Sequence, residues 1–163
     1  MRLDLTQLIR SVGMEKPFDY SFEITDVELM GINPFKNGVA TCGKVFNIGG
    51  ALVIQAEATS IFHSICDRCQ KEFQVPLSVS FEFNLALKET EETGEDTIIV
   101  SGGMLDINEL VRDNLILAVP MKLLCNEDCK GLCVRCGVDL NEVTCSCVED
   151  VIDSRLSVLK DLI

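Results

Sequence analysis

The sequence contains a single histidine, His63. Nucleophilic enzymes that pair a serine or cysteine with a histidine base therefore have no pairing to propose here, and no glycine-rich loop opens a helix to cradle phosphate. Long apolar runs are also missing. The greasiest stretch, LILAVP at residues 115–120, stops at Pro120, far short of the roughly 18 unbroken apolar residues of a membrane helix. The first twenty residues, MRLDLTQLIRSVGMEKPFDY, carry acids from Asp4 onward and lack the apolar core of a signal peptide. A cytoplasmic protein is expected, with no membrane partner and no small-molecule substrate. Basic residues are scarce as well: 14 Lys and Arg face 26 Asp and Glu, a net charge of −12. Non-specific coating of nucleic acid, which depends on Lys and Arg neutralising phosphates, is excluded, so any RNA contact must be local. No internal repeat is detectable.

Cysteine is what the sequence has in excess. There are nine, an odd number that a fully paired disulfide framework cannot use, and a cytoplasmic setting favours metal or redox chemistry instead. At 163 residues the chain is long enough to bury about 70% of its unfolded surface in a core of its own.

Periodicity gives the architecture. In FDYSFEIT, Phe18, Tyr20, Phe22 and Ile24 alternate with Asp19, Ser21 and Glu23, a period of two that suits a half-buried strand. FQVPLSVSFEFNLAL places Phe73, Val75, Leu77, Val79, Phe81, Phe83, Leu85 and Leu87 on odd positions, one long strand with Pro76 as its bend. Between these, GVATCGKVFNI and ALVIQAEATSIFHSI flank Gly49 and Gly50, the signature of a hairpin. After an acidic loop at residues 89–96 the period becomes helical. Asp106 followed by Glu109 forms a capping-box pattern, Ile107, Leu110, Val111, Leu115 and Ala118 share a face, and Pro120 ends the helix. Ile152, Leu156, Leu159 and Ile163 predict a second helix at the end. The expectation is an α+β fold: a curled or barrel-like antiparallel β-sheet with one packing helix, a C-terminal cysteine-rich zinc-binding segment and a terminal helix. Residues 1–120 form the β-rich part and residues 121–163 the tail.

The tail segment CNEDCKGLCVRCGVDLNEVTCSC holds Cys125, Cys129, Cys133, Cys136, Cys145 and Cys147. In CVRCG, two thiolates at C-x2-C spacing converge on one metal while Gly137 permits the tight turn beneath them. Four of the six complete a tetrahedral shell, zinc being the default metal; spacing alone leaves an iron–sulfur cluster open. Unligated thiols are the competing reading. A second pair, Cys66 and Cys69 in HSICDRCQKEF, sits where one strand run ends and the next begins. Six plus two is eight, enough for a second zinc, with Cys42 left as an ordinary strand residue. A thiol oxidoreductase using Cys66 and Cys69 is the alternative, weakened because thioredoxin-like pairs belong at a helix N-terminus after a parallel strand. His63 reads as a strand-surface residue.

LDINELVRDNLILAVPMKLLCNEDCKGLCVRCGVDLNEVTCSC, preceded by CDRC and followed by DSRLSVLKDL, resembles the YceD family of large ribosomal RNA subunit accumulation proteins. Val134 stands where such knuckles often carry proline. The cysteine-rich tail is similar to that of a bacterial branch; other members keep the C-x2-C corner and lack the tail cluster. The resemblance implies a non-enzymatic factor supporting synthesis, processing or stability of large-subunit ribosomal RNA, with that RNA or a pre-ribosomal particle as partner. The RNA footprint expected is Arg68 and Lys71 with Lys122, Lys130 and Arg135, each equally readable as a solvated charge. The net acidity supports a different partner, a basic ribosomal protein held by a chaperone-like binding module.

Overall fold

The computed structural model describes residues 1–88, 94 and 97–147. The expected helix over 152–163 and the acidic stretch 89–96, Gly94 apart, lie outside the described residues. Two short elements that periodicity did not signal come first, β1 (Arg2–Asp4) and the five-residue α1 (Thr6–Arg10). The alternating segments then form strands: β2 (Glu15–Phe22), β3 (Val39–Ile48), β4 (Ala51–Ile65) and β5 (Glu72–Ala86). Each pairs antiparallel with the next. The three-residue β6 (Thr97–Ile99) joins the end of β5 in parallel. The five strands make a curled half-barrel, and the class is α+β. β7 (Met104–Asp106) pairs with β1 and leads directly into α2 (Ile107–Leu117).

Local chemistry explains the boundaries. Gly49 and Gly50 have φ of +59° and +100°, and Ile48 pairs with Ala51 across them, so the two-residue turn needs left-handed backbone at both positions. Asp106 caps α2, its carboxylate accepting the Asn108 N–H at 3.1 Å, and the helix stops before Pro120, whose ring would clash with the preceding turn.

Register decides which side chains meet. Phe18 lies opposite Gly43, Gly43 opposite Ala56 and Ala56 opposite Phe81, so even residues of β2 and β4 share one face with odd residues of β3 and β5. That face carries the core: Val39, Val45, Ile54, Ala58 and Phe62 are buried there with Ile107, Val111 and Leu115 of α2. Burying each large aliphatic or aromatic side chain of this set contributes about 1.5–3 kcal/mol. Tyr20 ties sheet to helix, its hydroxyl donating to Asn108 Oδ1 at 2.7 Å. No helix among the described residues is long and apolar enough to cross a membrane. The core thus brings the corner between β4 and β5 to the same end of the molecule as the chain leaving α2.

Candidate metal centres

Two corners of the chain have the same backbone design. In Cys66–Gln70 the N–H of Gln70 donates to the Cys66 carbonyl at 2.9 Å and the Cys66 N–H donates to Lys71 O at 2.9 Å. In Cys133–Gly137 the N–H of Gly137 donates to the Cys133 carbonyl at 2.8 Å and the Cys133 N–H to Val138 O at 2.8 Å. Both turns close on left-handed backbone, Gln70 at φ +59° and Gly137 at φ +72°. Such a turn aims its N–H groups under two sulfurs, which is what a thiolate pair needs. The repeat is one of turn geometry, CDRCQK against CVRCGV, and is too short to register as a sequence repeat.

Each corner gathers two further cysteines. Cys66, Cys69, Cys125 and Cys129 form one set and Cys133, Cys136, Cys145 and Cys147 the other, with the four sulfurs of each set within 4.8 Å of one another. In the first, Cys66 Sγ lies 3.8 Å from Cys129 Sγ and Cys69 Sγ 3.6 Å from Cys125 Sγ. In the second, Cys145 Sγ lies 3.5 Å from Cys136 Sγ and 3.4 Å from Cys133 Sγ. All six tail cysteines therefore fall into these sets, split two and four, and the corner pair completes the first. Cys42, on β3, and His63, on β4, belong to neither.

The donor sets fit a metal ion. For an ion at about 2.3 Å from each sulfur, the tetrahedral S–S edge is about 3.8 Å, close to the separations found. The thiols of each set also shift one another. Burial raises the Cys66 thiol, but N–H groups of Cys125, Cys69 and Arg68 outweigh it and bring it down to about 6. Its neighbour Cys125 is pushed up to about 12, first by the Cys69 side chain and then by burial. The second set behaves alike. N–H groups of Cys136 and Arg135 lower Cys133 to about 6, while the side chains of Cys145 and Cys136 raise Cys147 to about 12. Like charges this close do not all ionise unless a cation sits among them, so proton release and ion uptake are linked.

The environments differ. Cys66, Cys69 and Cys129 are buried against Phe73, Leu124 and Leu132, whereas Cys136 and Cys147 are exposed. The first set is also laced to the corner by its neighbours. Asp67 N–H donates to Leu123 O at 2.7 Å and Asp67 Oδ2 accepts the Leu123 N–H at 2.8 Å. Asn141 Nδ2 donates to Cys129 Sγ at 3.4 Å. Asp67 and Asn141 escape a reading based on cysteine spacing; Asn141 lies in the DLN stretch that helped carry the family resemblance.

The five basic residues have unequal fates. Arg68 is exposed, and its Nη1 donates to the Cys129 carbonyl at 2.7 Å, so its guanidinium ties the corner to the tail. Lys71 pairs with Asp139 at 2.8 Å and with Glu142, contacts that raise its pKa. Lys122 and Lys130 are exposed, and their side chains form no ion pair among the described residues. Arg135 is exposed at the tip of the second turn.

Residues 54–163 match the family described as "Large ribosomal RNA subunit accumulation protein YceD". The chain belongs to the YceD family. The match takes in both cysteine sets. Among relatives, the Arabidopsis thaliana protein named "Large ribosomal RNA subunit accumulation protein YCED homolog 1, chloroplastic" is 33% identical over 58 residues, 36% of this chain and 18% of its own. The protein of the same name from Zea mays is 41% identical over 44 residues, 26% of this chain and 15% of its own. "Uncharacterized protein YlbN" of Bacillus subtilis (strain 168) is 25% identical over 100 residues, 60% of this chain and 58% of its own. The chain thus spans less than a fifth of the plant YceD relatives. No solved structure matches it.

One glycine tests how the corner and tail are joined. Gly131 has φ of +76°, and a Cβ there would lie 2.9 Å from the Arg68 carbonyl oxygen, the same oxygen that accepts the Leu132 N–H at 3.0 Å. Gly137 has φ of +72° with nothing within 4 Å of an added Cβ. Gly131→Ala should cost about 2 kcal/mol or more, from strain and collision together, and Gly137→Ala about 1 kcal/mol from strain alone. Urea unfolding of the two variants checks the ranking; equal losses would mean that the close approach of Gly131 to Arg68 has no energetic weight.

Proposed function

We propose that this chain is a cytoplasmic, non-enzymatic factor that supports the synthesis, processing or stability of large-subunit ribosomal RNA, built around two structural zinc ions. The family match over residues 54–163 carries the reading, because the family is named for accumulation of an RNA rather than for a reaction. Cys66, Cys69, Cys125 and Cys129 hold the first zinc, and Cys133, Cys136, Cys145 and Cys147 the second. Zinc is favoured over a polynuclear iron–sulfur cluster because a cluster spreads its cysteines over separate iron atoms, whereas these sulfurs stand at single-ion separations. The first site joins a β-rich part, residues 1–120, to the tail, residues 121–163. A redox role for Cys66 and Cys69 is disfavoured by the antiparallel corner they occupy and by the two further thiols beside them.

Contact with a pre-ribosomal particle falls first to Lys122 and Lys130, the exposed cations with no ion pair among the described residues. Arg68 and Lys71 support it by shaping the corner, through the Cys129 carbonyl and Asp139. In cells lacking the chain, large-subunit RNA should fall relative to small-subunit RNA, wild type should restore it, and Lys122→Glu with Lys130→Glu should restore it incompletely. Purified without a metal-affinity tag, the protein should carry two zinc ions per chain. Unchanged RNA levels on deletion would remove the assembly reading, and iron in place of zinc would remove the metal assignment. The net charge of −12 favours a second reading, in which the chain holds a basic ribosomal protein.

A further inference from the structure

Among the described residues, β5 is paired on one side only for most of its length. Its ladder with β4 runs from Glu72 to Leu85, whereas β6 touches its other side only at Asn84–Ala86. Two hydrogen bonds reveal which groups face the open side. The Cys66 N–H donates to Lys71 O on the β4 side, and the Val100 N–H donates to Ala86 O on the opposite side at 2.7 Å. Main-chain groups alternate along an antiparallel pair, so odd residues of β5 turn toward β4 and even residues turn outward. Pro76, which has no N–H, falls in the outward set, where it costs no ladder bond. From Glu72 to Glu82 the outward groups have no partner among the described residues.

The side chains along this edge are also covered from one side only. Val75, Leu77, Val79, Phe81 and Phe83 lie on the core face yet stay half-exposed, while Ala58 and Phe62, opposite Val79 and Val75 on β4, are fully buried. A strand laid along β5 would satisfy the outward main-chain groups and cover this row at once.

Charge selects the occupant. Between Lys71 and Lys88 there is no basic residue; Glu72 and Glu82 are exposed on β5, and Glu57 is exposed opposite Ser80 on β4. Lys71 is already paired with Asp139 and Glu142. A second copy of the chain would set the same acids against each other, and like charges across a strand pair are destabilising. We propose that the open edge of β5 takes up, by strand addition, an extended segment of a basic protein in which apolar residues alternate with Lys or Arg. The apolar residues extend the half-barrel core, and the basic ones lie beside Glu72 and Glu82. This deepens the basic-protein reading of the function given above.

The test uses the full chain with its metals and a fluorescein-labelled peptide of about twelve residues alternating lysine with valine, near 0.15 M salt, where loose charge attraction is screened. The peptide should bind saturably by anisotropy. Ser80→Pro adds a second proline to the outward set, leaving β4 pairing and far-ultraviolet circular dichroism intact, and should weaken binding at least about tenfold. Alternate N-methylation of the peptide, or glutamate in place of its lysines, should weaken binding as much. Deleting residues 148–163 should leave affinity within about twofold. The proposal falls if Ser80→Pro and N-methylation change nothing, if the chain pairs with itself through this edge in sedimentation, if binding appears only after 148–163 are removed, or if single-stranded RNA binds in a Ser80-dependent way. Cells separate this failure from that of the assembly reading. Normal large-subunit RNA with Ser80→Pro, alongside a deficit on deletion of the chain, removes the edge and spares the reading; no deficit on deletion removes the reading and leaves the edge to the peptide result.

Discussion

Cys66→Ser or Cys129→Ser should lower the midpoint of thermal unfolding by about 10 °C, and Cys136→Ser or Cys147→Ser by no more than about 3 °C. The contrast follows from where the ligands come from. Cys69 and Cys125 lie 56 residues apart in sequence, and closing a loop of that length is what the zinc proposed for the first site would contribute to stability, together with burial of three of its four thiols. Losing one ligand there leaves thiols in an apolar pocket with no ion to compensate them, and it unfastens the tail from the β4–β5 corner. The second site draws all four ligands from residues 133–147, a short segment already half in water. Losing one should release that ion and expose the segment to protease while the half-barrel stays folded. Calorimetry with metal content measured on each variant reads both effects. Equal midpoints for Cys66→Ser and Cys136→Ser would show that the two sites carry the same weight, contrary to this account.

A second large loss is expected at the centre of the sheet. Gly43 faces Phe18 on one neighbouring strand and Ala56 on the other. A Cβ at this position would lie 2.3 Å from the Gln55 carbonyl oxygen and 2.8 Å from both the Ala56 Cα and the Phe18 ring. Two of those three atoms are backbone and cannot rotate away. Phe18 is itself buried, so its ring fills the space that a side chain at 43 would claim. Gly43→Ala should therefore destabilise the protein by about 3 kcal/mol or more, through overpacking that parts β3 from β4. Ala40→Ser, on an exposed position of the same strand, should stay within about 0.5 kcal/mol. Urea unfolding measures both, and a Gly43→Ala variant as stable as wild type would mean that the close approach at the strand junction carries no stability.

Local pattern carried much of the fold. Alternation marked the strands that became β2 and β5, paired glycines placed the β3–β4 turn, and the Asp106 cap with Pro120 bounded α2, because in each case the cause acts within a few residues. Short elements escaped for the same reason. β1 and β7 have three residues each and exist only because they pair with each other across the chain. The parallel β6 likewise depends on β5 being there to receive it.

The sequence by itself determined that thiols are concentrated at one corner and one tail, that histidine and basic residues are scarce, and that the chain resembles YceD proteins. Which thiols meet was decided by the tertiary structure. C-x2-C spacing specifies a turn, but nothing within a turn says which distant segment will be folded against it. That depends on β4 and β5 pairing over their full length, which sets the Cys66–Cys69 corner beside the chain leaving α2. The same packing draws Arg68 onto the Cys129 carbonyl and pairs Lys71 with Asp139, contacts that the sequence alone does not signal. Among the described residues it also leaves the outer side of β5 open, because the sheet of five strands curls without closing, and an edge exists only relative to the strands that do not cover it.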